Sequence, residues 1–289
     1  FLGTRESDPT IPEEYAEEAE LAQVGYPEFD LDAYRSGETP APCANCNRTV
    51  KLVHLVELAE RFGAAAIATG HYARFGDGVL RTGADQTKDQ SYFLFGVPPA
   101  VLERVRFPLG GMTKHEVREH GRRLGVPNAD KPDSQELCFV PDGDIAGFVR
   151  NERGEGRGGA ILDEAGEELA RHTGVEAFTI GQRKGLGLGG GGVRYVLKIV
   201  NDDVVVGERA GLMRRECEVG EVHWFSPPGE TLRAQVRIRH RHRPAPAEVR
   251  VVEGRAIVRF DEPQRAVTPG QAAVFYDDER VLGGGFIRA

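Results

Sequence analysis

Residues 39–48 read Thr39-Pro40-Ala41-Pro42-Cys43-Ala44-Asn45-Cys46-Asn47-Arg48 and hold two of the four cysteines of the 289-residue chain, in a C-x-x-C spacing. Each proline biases the residue before it toward extended backbone, which predicts a loop that leads into a helix. Thiols at the positive end of a helix have a lowered pKa, so this position favours the thiolate. A third cysteine, Cys138, follows in Asp133-Ser134-Gln135-Glu136-Leu137-Cys138-Phe139. We expect Cys46 and Cys138 to meet in the fold and to carry sulfur chemistry.

The composition is that of an ordinary globular protein, with 40% hydrophobic and 28% charged residues. No apolar run approaches the ~18 residues that a membrane span needs, and no signal segment is visible, so we expect no membrane partner. Four cysteines in a chain of this length do not indicate a disulfide framework. A reducing, cytoplasmic compartment is therefore expected, where C-x-x-C indicates a catalytic or metal-binding site.

The charge is unevenly distributed along the chain. A net charge of −8 argues against a protein that coats nucleic acid through bulk charge. Residues 233–243, however, carry five arginines and two histidines. The alternation from Arg237 to Arg243 predicts arginines on one strand face, either as a solvated barrel face or as a strip that binds a phosphate backbone.

The first half of the chain has an α/β pattern. Thr49–Phe62 is periodic as a helix with Gly63 after it, and residues 64–69 predict a short buried strand that ends at Gly70-His71. Ligands bind at such carboxyl ends in open parallel sheets. Val79–Thr82 predicts another strand, and residues 113–124 predict a helix with a capping box at Thr113 and Glu116. A shorter helical stretch is predicted at Glu13–Val24.

The second half of the chain has a β pattern. A hairpin is predicted over Ala160–Leu169, and alternating strands are predicted over residues 234–239, 249–260 and 272–287. Short strands at regular spacing indicate a small barrel. We therefore divide the chain into an α/β region over residues 1–149, a small β-rich domain over 150–208 and a β-barrel over 209–289.

The residues that could carry chemistry also have structural explanations. Each cysteine could be a small buried hydrophobe, His71 a satisfied polar residue, and Lys88-Asp89-Gln90 a solvated loop. Structural zinc usually takes four ligands, so His71 would have to complete a set with Cys43, Cys46 and Cys138. Three thiolates alone suit a 4Fe-4S iron–sulfur cluster with one open iron.

Seven blocks of sequence, in order, resemble the bacterial tRNA-specific 2-thiouridylases of the MnmA type. The blocks are spread over nearly the whole range from Ala33 to Ile287, and seven ordered blocks are highly specific. The blocks are Thr39–Arg48, Ala68–Arg74, Lys88–Leu94, Asp133–Phe139, Thr179–Gly187, Phe260–Gln271 and Leu282–Gly285.

The resemblance implies a fold and a reaction. The fold is α/β, with a partial Rossmann-like PP-loop ATPase domain, a small β-rich central domain and a C-terminal β-barrel that contacts tRNA. The reaction is 2-thiolation of the wobble uridine (U34) of tRNA: ATP with Mg²⁺ adenylates the C2 oxygen, and a persulfide sulfur replaces it. The sulfur comes from a donor protein or a sulfide source.

The resemblance also implies roles for individual residues. Cys46 matches the nucleophile, Cys138 the cysteine that bears the persulfide, and Gly70 an ATP contact. The segment that meets the target base matches Ala41, Pro42 and Cys43. The remaining tRNA contacts match His71, Lys88, Asp89, Gln90, Arg239, His240 and Gln271.

Two departures from the family pattern leave alternatives open. The family's Ser-Gly-Gly-x-Asp-Ser pyrophosphate loop is missing from this sequence, so we expect a fragment, or else a chain that has lost adenylation and only binds tRNA. Cys43 stands where many members carry Asp, which makes Cys43, Cys46 and Cys138 a candidate cluster triad. A zinc-stabilised binding protein with purely structural thiols is a third interpretation.

Overall fold

The computed structural model describes residues 30–132, 137–138, 140, 143–189 and 192–288. The helix predicted at Glu13–Val24 lies outside these residues. So does most of the Asp133–Phe139 block, of which Leu137 and Cys138 are described.

The α/β region contains five of the α-helices and four strands. The helices are α1 (Leu31–Arg35), α2 (Pro42–Asn45), α3 (Leu52–Arg61), α4 (Pro99–Glu103) and α5 (Lys114–Arg123), with a π-helical turn at Cys46–Lys51 and a 3₁₀ turn at Ser91–Phe93. The strands are β1 (Ile67–Ala68), β2 (Ala73–Gly76), β3 (Val79–Thr82) and β4 (Val105–Arg106). Because β1 pairs with β4 in parallel, the α/β arrangement is confirmed.

Two local predictions in this region have different outcomes. The capping box of α5 is present: the Glu116 N–H donates to Thr113 Oγ1, and the Thr113 N–H donates to the Glu116 carboxylate at 2.7 Å. The buried strand over residues 64–69 is wrong in extent and burial, since only Ile67–Ala68 forms a strand and Ala68 is exposed. A two-residue ladder against β4 is its only pairing among the described residues, so no second neighbour covers it.

The middle part forms a four-stranded sheet after helix α6 (Ile145–Arg153). Its strands are β5 (Gly159–Leu162), β6 (Glu168–His172), β7 (Tyr195–Val200) and β8 (Asp203–Gly207), in the order β6-β5-β8-β7. The predicted β5–β6 hairpin is confirmed. Ile161, Val196, Val204 and Val206 form its buried core.

The last part is a closed six-stranded antiparallel barrel. Its strands are β9 (Met213–Trp224), β10 (Thr231–Arg237), β11 (Ala245–Val252), β12 (Arg255–Arg265), β13 (Ala272–Asp277) and β14 (Arg280–Ile287). The barrel closes because β13 pairs with both β10 and β14. The predicted hairpins around Glu253-Gly254 and Asp277-Asp278 are confirmed. No helix in the described ranges is long and apolar enough to cross a bilayer.

A shared core joins the barrel to the α/β region. Leu80, Tyr92 and Phe95 pack with Val274 and Tyr276 in one buried cluster. The Tyr92 hydroxyl donates to the Ala272 carbonyl at 2.9 Å, and β3 adds to the edge of β14. These contacts set the position of the α/β region against one face of the barrel, where the candidate site lies.

Candidate functional site

The cysteine pair lies in a helix rather than on the loop before it, which corrects the sequence prediction. Helix α2 starts at Pro42, with Ala41 as its N-cap, and Cys43 lies in its first turn. Proline is tolerated there because the first helical residues have no intrahelical acceptor for their N–H groups. Cys46 then opens the π-helical turn that ends at Lys51. We call residues 42–51 the cysteine helix.

The three candidate thiols lie within electrostatic range of one another. Cys43 and Cys138 are exposed and Cys46 is half-buried, and all are free thiols. Partial burial raises the pKa of both Cys43 and Cys46, and Lys51 and Cys138 act on both, the Lys51 ammonium lowering the pKa and Cys138 raising it further. The predicted activation by the helix end is therefore wrong in direction, because desolvation outweighs the favourable charges.

A large cleft of about 2290 Å³ lies between the α/β region and the barrel, with residues of both on its walls. Most of the residues that the sequence assigned to substrate line it, namely Ala41, Pro42, Cys43, Gly70, Lys88, Gln90, Arg239, His240 and Gln271. The other assigned residues, Cys46, Cys138, His71 and Asp89, do not line it. Leu137, next to Cys138 in the chain, lies on the cleft wall.

The arginine-rich run does not form one strand face, which corrects a second prediction. Strand β10 ends at Arg237, and residues 238–244 form the connection to β11. We call residues 238–243 the basic turn. The Arg239 guanidinium donates to the Arg265 carbonyl at 3.2 Å. The His240 ring lies against Phe93, with ring centroids 4.6 Å apart.

The basic turn holds basic groups that are partly withdrawn from water. Burial lowers the pKa of Arg239, His240 and His242, and neighbouring arginines lower it further. Like charges crowded at low hydration are stabilised by an anion. This wall of the cleft is therefore suited to a polyanion such as a nucleic-acid backbone.

Asp89 lies beneath this wall and does not face the cleft. It is 2% exposed, and its carboxylate accepts hydrogen bonds from the Gly83 and Ser91 N–H groups. Its second oxygen accepts from Arg237 Nη1 at 2.8 Å. The neighbouring Gln90 side chain accepts from the Tyr72 N–H at 3.0 Å, while Lys88 is half-buried on the cleft wall.

Gln271 connects the barrel to the segment before the cysteine helix. Its amide donates to the Thr39 carbonyl at 2.8 Å and to the Pro40 carbonyl at 3.4 Å. The Thr39 N–H in turn donates to the Pro269 carbonyl. Gln271 thus holds the entry to the cysteine helix against the barrel, although its side chain also borders the cleft.

Gly70 and His71 follow strand β1, as predicted. A side chain at Gly70 would meet nothing closer than Leu109, at 3.7 Å, so the exposed glycine leaves the cleft open on this side. The His71 ring nitrogen Nδ1 lies 3.0 Å from Thr69 Oγ1. Burial, with a smaller contribution from Lys51, lowers the pKa of His71 to about 4, so the imidazole is neutral at pH 7.

Three contributors escaped the sequence analysis. Lys51 acts electrostatically on the thiols and on His71. Phe93 supports His240, and Arg265 accepts a hydrogen bond from Arg239 through its carbonyl. Lys51 follows Cys46 by five positions, a spacing that an α-helical pattern does not single out, because the π turn is invisible in the sequence.

The metal prediction gains no support from the placement of the thiols. Among the residues that the structure describes, no three His, Cys, Asp or Glu side chains are arranged to hold a metal ion. The iron–sulfur cluster on Cys43, Cys46 and Cys138 stays a prediction.

Three family models match successive parts of the chain. Residues 25–142 match a tRNA methyl transferase HUP domain, residues 146–212 a tRNA methyl transferase PRC-barrel domain, and residues 214–287 an aminomethyltransferase beta-barrel domain. The three matched segments follow the α/β region, the middle sheet and the closed barrel.

Curated relatives match across the whole of this arrangement. The tRNA-specific 2-thiouridylase MnmA of Acidithiobacillus ferrooxidans is 46% identical over 267 residues, which cover 88% of this chain and 76% of the relative. The protein of the same name from Syntrophotalea carbinolica is 47% identical over 265 residues, covering 89% and 75%. That from Chloroflexus aurantiacus is 44% identical over 271 residues, covering 90% and 76%. On these similarities, the chain belongs to the tRNA-specific 2-thiouridylase family.

Proposed function

We propose that this protein is a tRNA-uridine 2-sulfurtransferase, which replaces the C2 oxygen of the wobble uridine by sulfur in an ATP-dependent reaction. The observation that carries the proposal is the cleft itself. Cys43 lies on one wall with Cys46 and Cys138 in electrostatic range, and the basic turn forms the other wall. Reactive sulfur and an anion-binding surface therefore meet at one site.

The uridine carbonyl has to be activated before sulfur can replace its oxygen. Attack of the C2 oxygen on the α-phosphate of ATP would form an adenylated uridine and release pyrophosphate. The oxygen then leaves as part of AMP, which is a far better leaving group than oxide. Gly70, exposed on the cleft wall, is the residue we assign to ATP, whose phosphates would carry Mg²⁺.

The two cysteines can divide the sulfur transfer between them. The terminal sulfur of a Cys138 persulfide attacks C2, and AMP departs with the former carbonyl oxygen. The Cys46 thiolate then attacks the Cys138 sulfur, which breaks the sulfur–sulfur bond and leaves the 2-thiocarbonyl on the base. The Cys46–Cys138 disulfide that results must be reduced by a dithiol before the next turnover, and a sulfur donor must reload Cys138.

The raised pKa of the Cys46 thiol fits its role as the second nucleophile, after the Cys138 persulfide. Burial keeps the Cys46 thiol largely protonated at neutral pH, where it is a weak nucleophile. A persulfide is more acidic than a thiol and ionises at the same pH. The Lys51 ammonium, which favours the anionic form of Cys46, provides stabilisation when Cys46 has to react.

The lining of the cleft supports the following assignment of substrate contacts. We assign the tRNA backbone to Lys88, Arg239 and His240, and the target base to Ala41, Pro42 and Cys43. Gln271 lines the cleft and holds the segment before the cysteine helix, whereas His71, which follows strand β1, does not line the cleft.

The test is the formation of 2-thiouridine in a tRNA transcript, supplied with ATP, Mg²⁺ and a persulfide donor and measured by mass spectrometry. Cys46→Ala and Cys138→Ala should each lower the rate by roughly a thousandfold or more, because the attacking sulfur is removed. Cys217→Ala is the matched control, since Cys217 lies in the barrel core, and its rate should stay near that of the wild type.

Other outcomes would identify the rival functions. Binding of tRNA without ATP turnover or thiolation in the wild type would mean a binding protein without catalysis. Iron and sulfide that are present after anaerobic purification and lost in Cys43→Ala would support the cluster instead of the persulfide. Stoichiometric zinc without iron would indicate structural thiols.

A further inference from the structure

Asp89 is fully engaged by the protein. Its side chain is 1% exposed, with Oδ1 accepting from the N–H groups of Gly83 at 3.1 Å and Ser91 at 3.0 Å, and Oδ2 accepting from Arg237 Nη1 at 2.8 Å. No acceptor position of the carboxylate faces the cleft. A direct contact from Asp89 to RNA would require this buried arrangement to break.

Arg237 carries the effect of Asp89 to the basic turn. Its side chain is 12% exposed and lies at the last position of strand β10. While Nη1 bonds to Asp89, Nη2 donates to the carbonyl oxygen of His240. The guanidinium also lies over the Tyr92 ring, 5.5 Å from its centroid. One planar group thus connects a buried acid, an aromatic face and the backbone of the turn.

The segment that contains Asp89 supports the turn at a second point. Phe93, four residues after Asp89, packs against the His240 ring at an interplanar angle of 31°. Residues 89–93 therefore hold the turn by a charge pair, by a cation over an aromatic ring and by ring packing. The carboxylate is the charged partner on which the first two contacts depend.

We propose that Asp89 is a positioning residue for RNA. It acts through Arg237 to hold the basic turn with its cations toward the cleft, and it does not contact RNA itself. This inference rests on the proposed function, in that the cleft binds tRNA. It assigns Asp89 a role different from that of the neighbouring Lys88, whose side chain lines the cleft, while Arg237, which also borders the cleft, transmits the effect of Asp89 to the turn.

Positioning and simple electrostatics predict effects of opposite sign. Asp89→Asn changes the net charge from −8 to −7, and the removed negative charge lies next to the cationic turn. If only the electric field mattered, tRNA would bind more tightly. If Asp89 positions the turn, tRNA should bind about tenfold more weakly, with a salt dependence shallower by about one to two phosphate contacts.

The experiment measures the Kd for an unmodified tRNA transcript as a function of salt concentration, with the full chain. Asp278→Asn is the matched control. Asp278 borders the cleft in the β13–β14 hairpin turn, and its φ of 51° is one that asparagine adopts equally well, so the variant makes the same charge change without disturbing that hairpin. Its affinity should be unchanged or slightly higher.

Two further variants decide the matter if Asp89→Asn folds poorly by circular dichroism. Arg237→Lys preserves the charge but loses the planar guanidinium. Positioning therefore predicts weaker tRNA binding, whereas a pure charge effect predicts an unchanged affinity. The double variant Asp89→Asn/Arg237→Gln keeps the net charge of −8 and restores a neutral hydrogen-bonded pair. It should bind better than Asp89→Asn alone, since no uncompensated buried charge remains.

The outcomes separate this inference from the proposed function. A wild-type chain that does not bind the transcript overturns the proposed function. A wild type that binds, with Asp89→Asn or Arg237→Lys folded and binding equally well or more tightly, overturns the positioning role alone. Weaker binding of these variants with a shallower salt slope, and an unaffected Asp278→Asn, supports it.

Discussion

The cysteine helix and the basic turn form two walls of one cleft, and both bury groups at the expense of their charged forms. Burial raises the pKa of Cys43 and Cys46, and it lowers the pKa of Arg239, His240 and His242. In both walls the charged form of a functional group is disfavoured, and a bound substrate of opposite charge would stabilise it.

The two walls compensate for this burial differently. The thiols have the exposed ammonium of Lys51, whose influence salt can screen. The turn is anchored by the Asp89–Arg237 pair, which is almost fully buried and hence little affected by salt. The pKa of the thiols on the cysteine helix can therefore change with the ionic surroundings, whereas the position of the basic turn is held by a buried ion pair.

The largest expected effect concerns acid stability on the cysteine side. The folded pKa of His71 is about 4, against 6.5 for an ordinary histidine. Between these values the unfolded state binds the proton and the folded state does not, so stability is fully present above pH 6.5 and is lost as the pH falls toward 4. The loss should reach up to about 3 kcal/mol.

Urea unfolding of the wild type and His71→Gln between pH 7 and pH 4 measures this contribution. The variant should show a shallower decline in the free energy of unfolding. His115→Gln, on the exposed face of α5, should decline as the wild type does. A parallel decline in all three proteins would mean that His71 is protonated in the folded state.

The next effect belongs to the basic turn. Bound phosphates should raise the lowered pKa values of His240 and His242, so the complex takes up protons and tRNA affinity increases as the pH falls. About a tenfold gain is expected between pH 7.5 and pH 5.5. The double variant His240→Gln/His242→Gln should lack this gain in Kd measurements, whereas His54→Gln, on helix α3 and outside the cleft lining, should keep it. A pH-independent wild-type affinity would contradict the anion-binding interpretation.

A smaller effect tests the connection between the two sides. Gln271→Ala removes the hydrogen bonds to the Thr39 and Pro40 carbonyls, which should lower the free energy of unfolding by about 1 kcal/mol. Gln235→Ala is the comparison, because Gln235 is exposed on the cleft wall. Equal urea midpoints for the two variants would show that Gln271 does not hold the entry to the cysteine helix.

The smallest effect concerns Lys51. Lys51→Ala should move the pH profile of Cys46 alkylation to higher pH, because it removes the ammonium that lowers the pKa of Cys46, and the move should be small since water weakens a partly exposed charge pair. Iodoacetamide labelling followed by mass spectrometry measures the profile, and Lys198→Ala, in strand β7, is the control. Added salt should shift the wild-type profile toward that of Lys51→Ala. If neither Lys51→Ala nor added salt shifts the profile, Lys51 does not influence the ionisation of Cys46.

Local patterns predicted the parts of the fold whose stability is itself local. The capping box at Thr113 and the hairpin turns at Gly254 and Asp278, with φ of 71° and 51°, follow from residue types a few positions apart. The strand prediction beyond Arg237 was wrong because an alternating sequence looks the same whether the chain stays paired with β11 or turns away from it. Pairing of Val236 with Ala245 ends the β10–β11 ladder, and that end is set between strands.

By itself, then, the sequence determined the family, the α/β region followed by a barrel, and most but not all of the residues that line the cleft. Only the tertiary structure decided how these residues act. It turned Asp89 from a surface contact into the buried partner of Arg237, 148 positions away, and it raised the thiol pKa that the helix end was expected to lower. The physical reason is that burial and long-range ion pairs depend on which surfaces come together in space, and no local pattern carries that information.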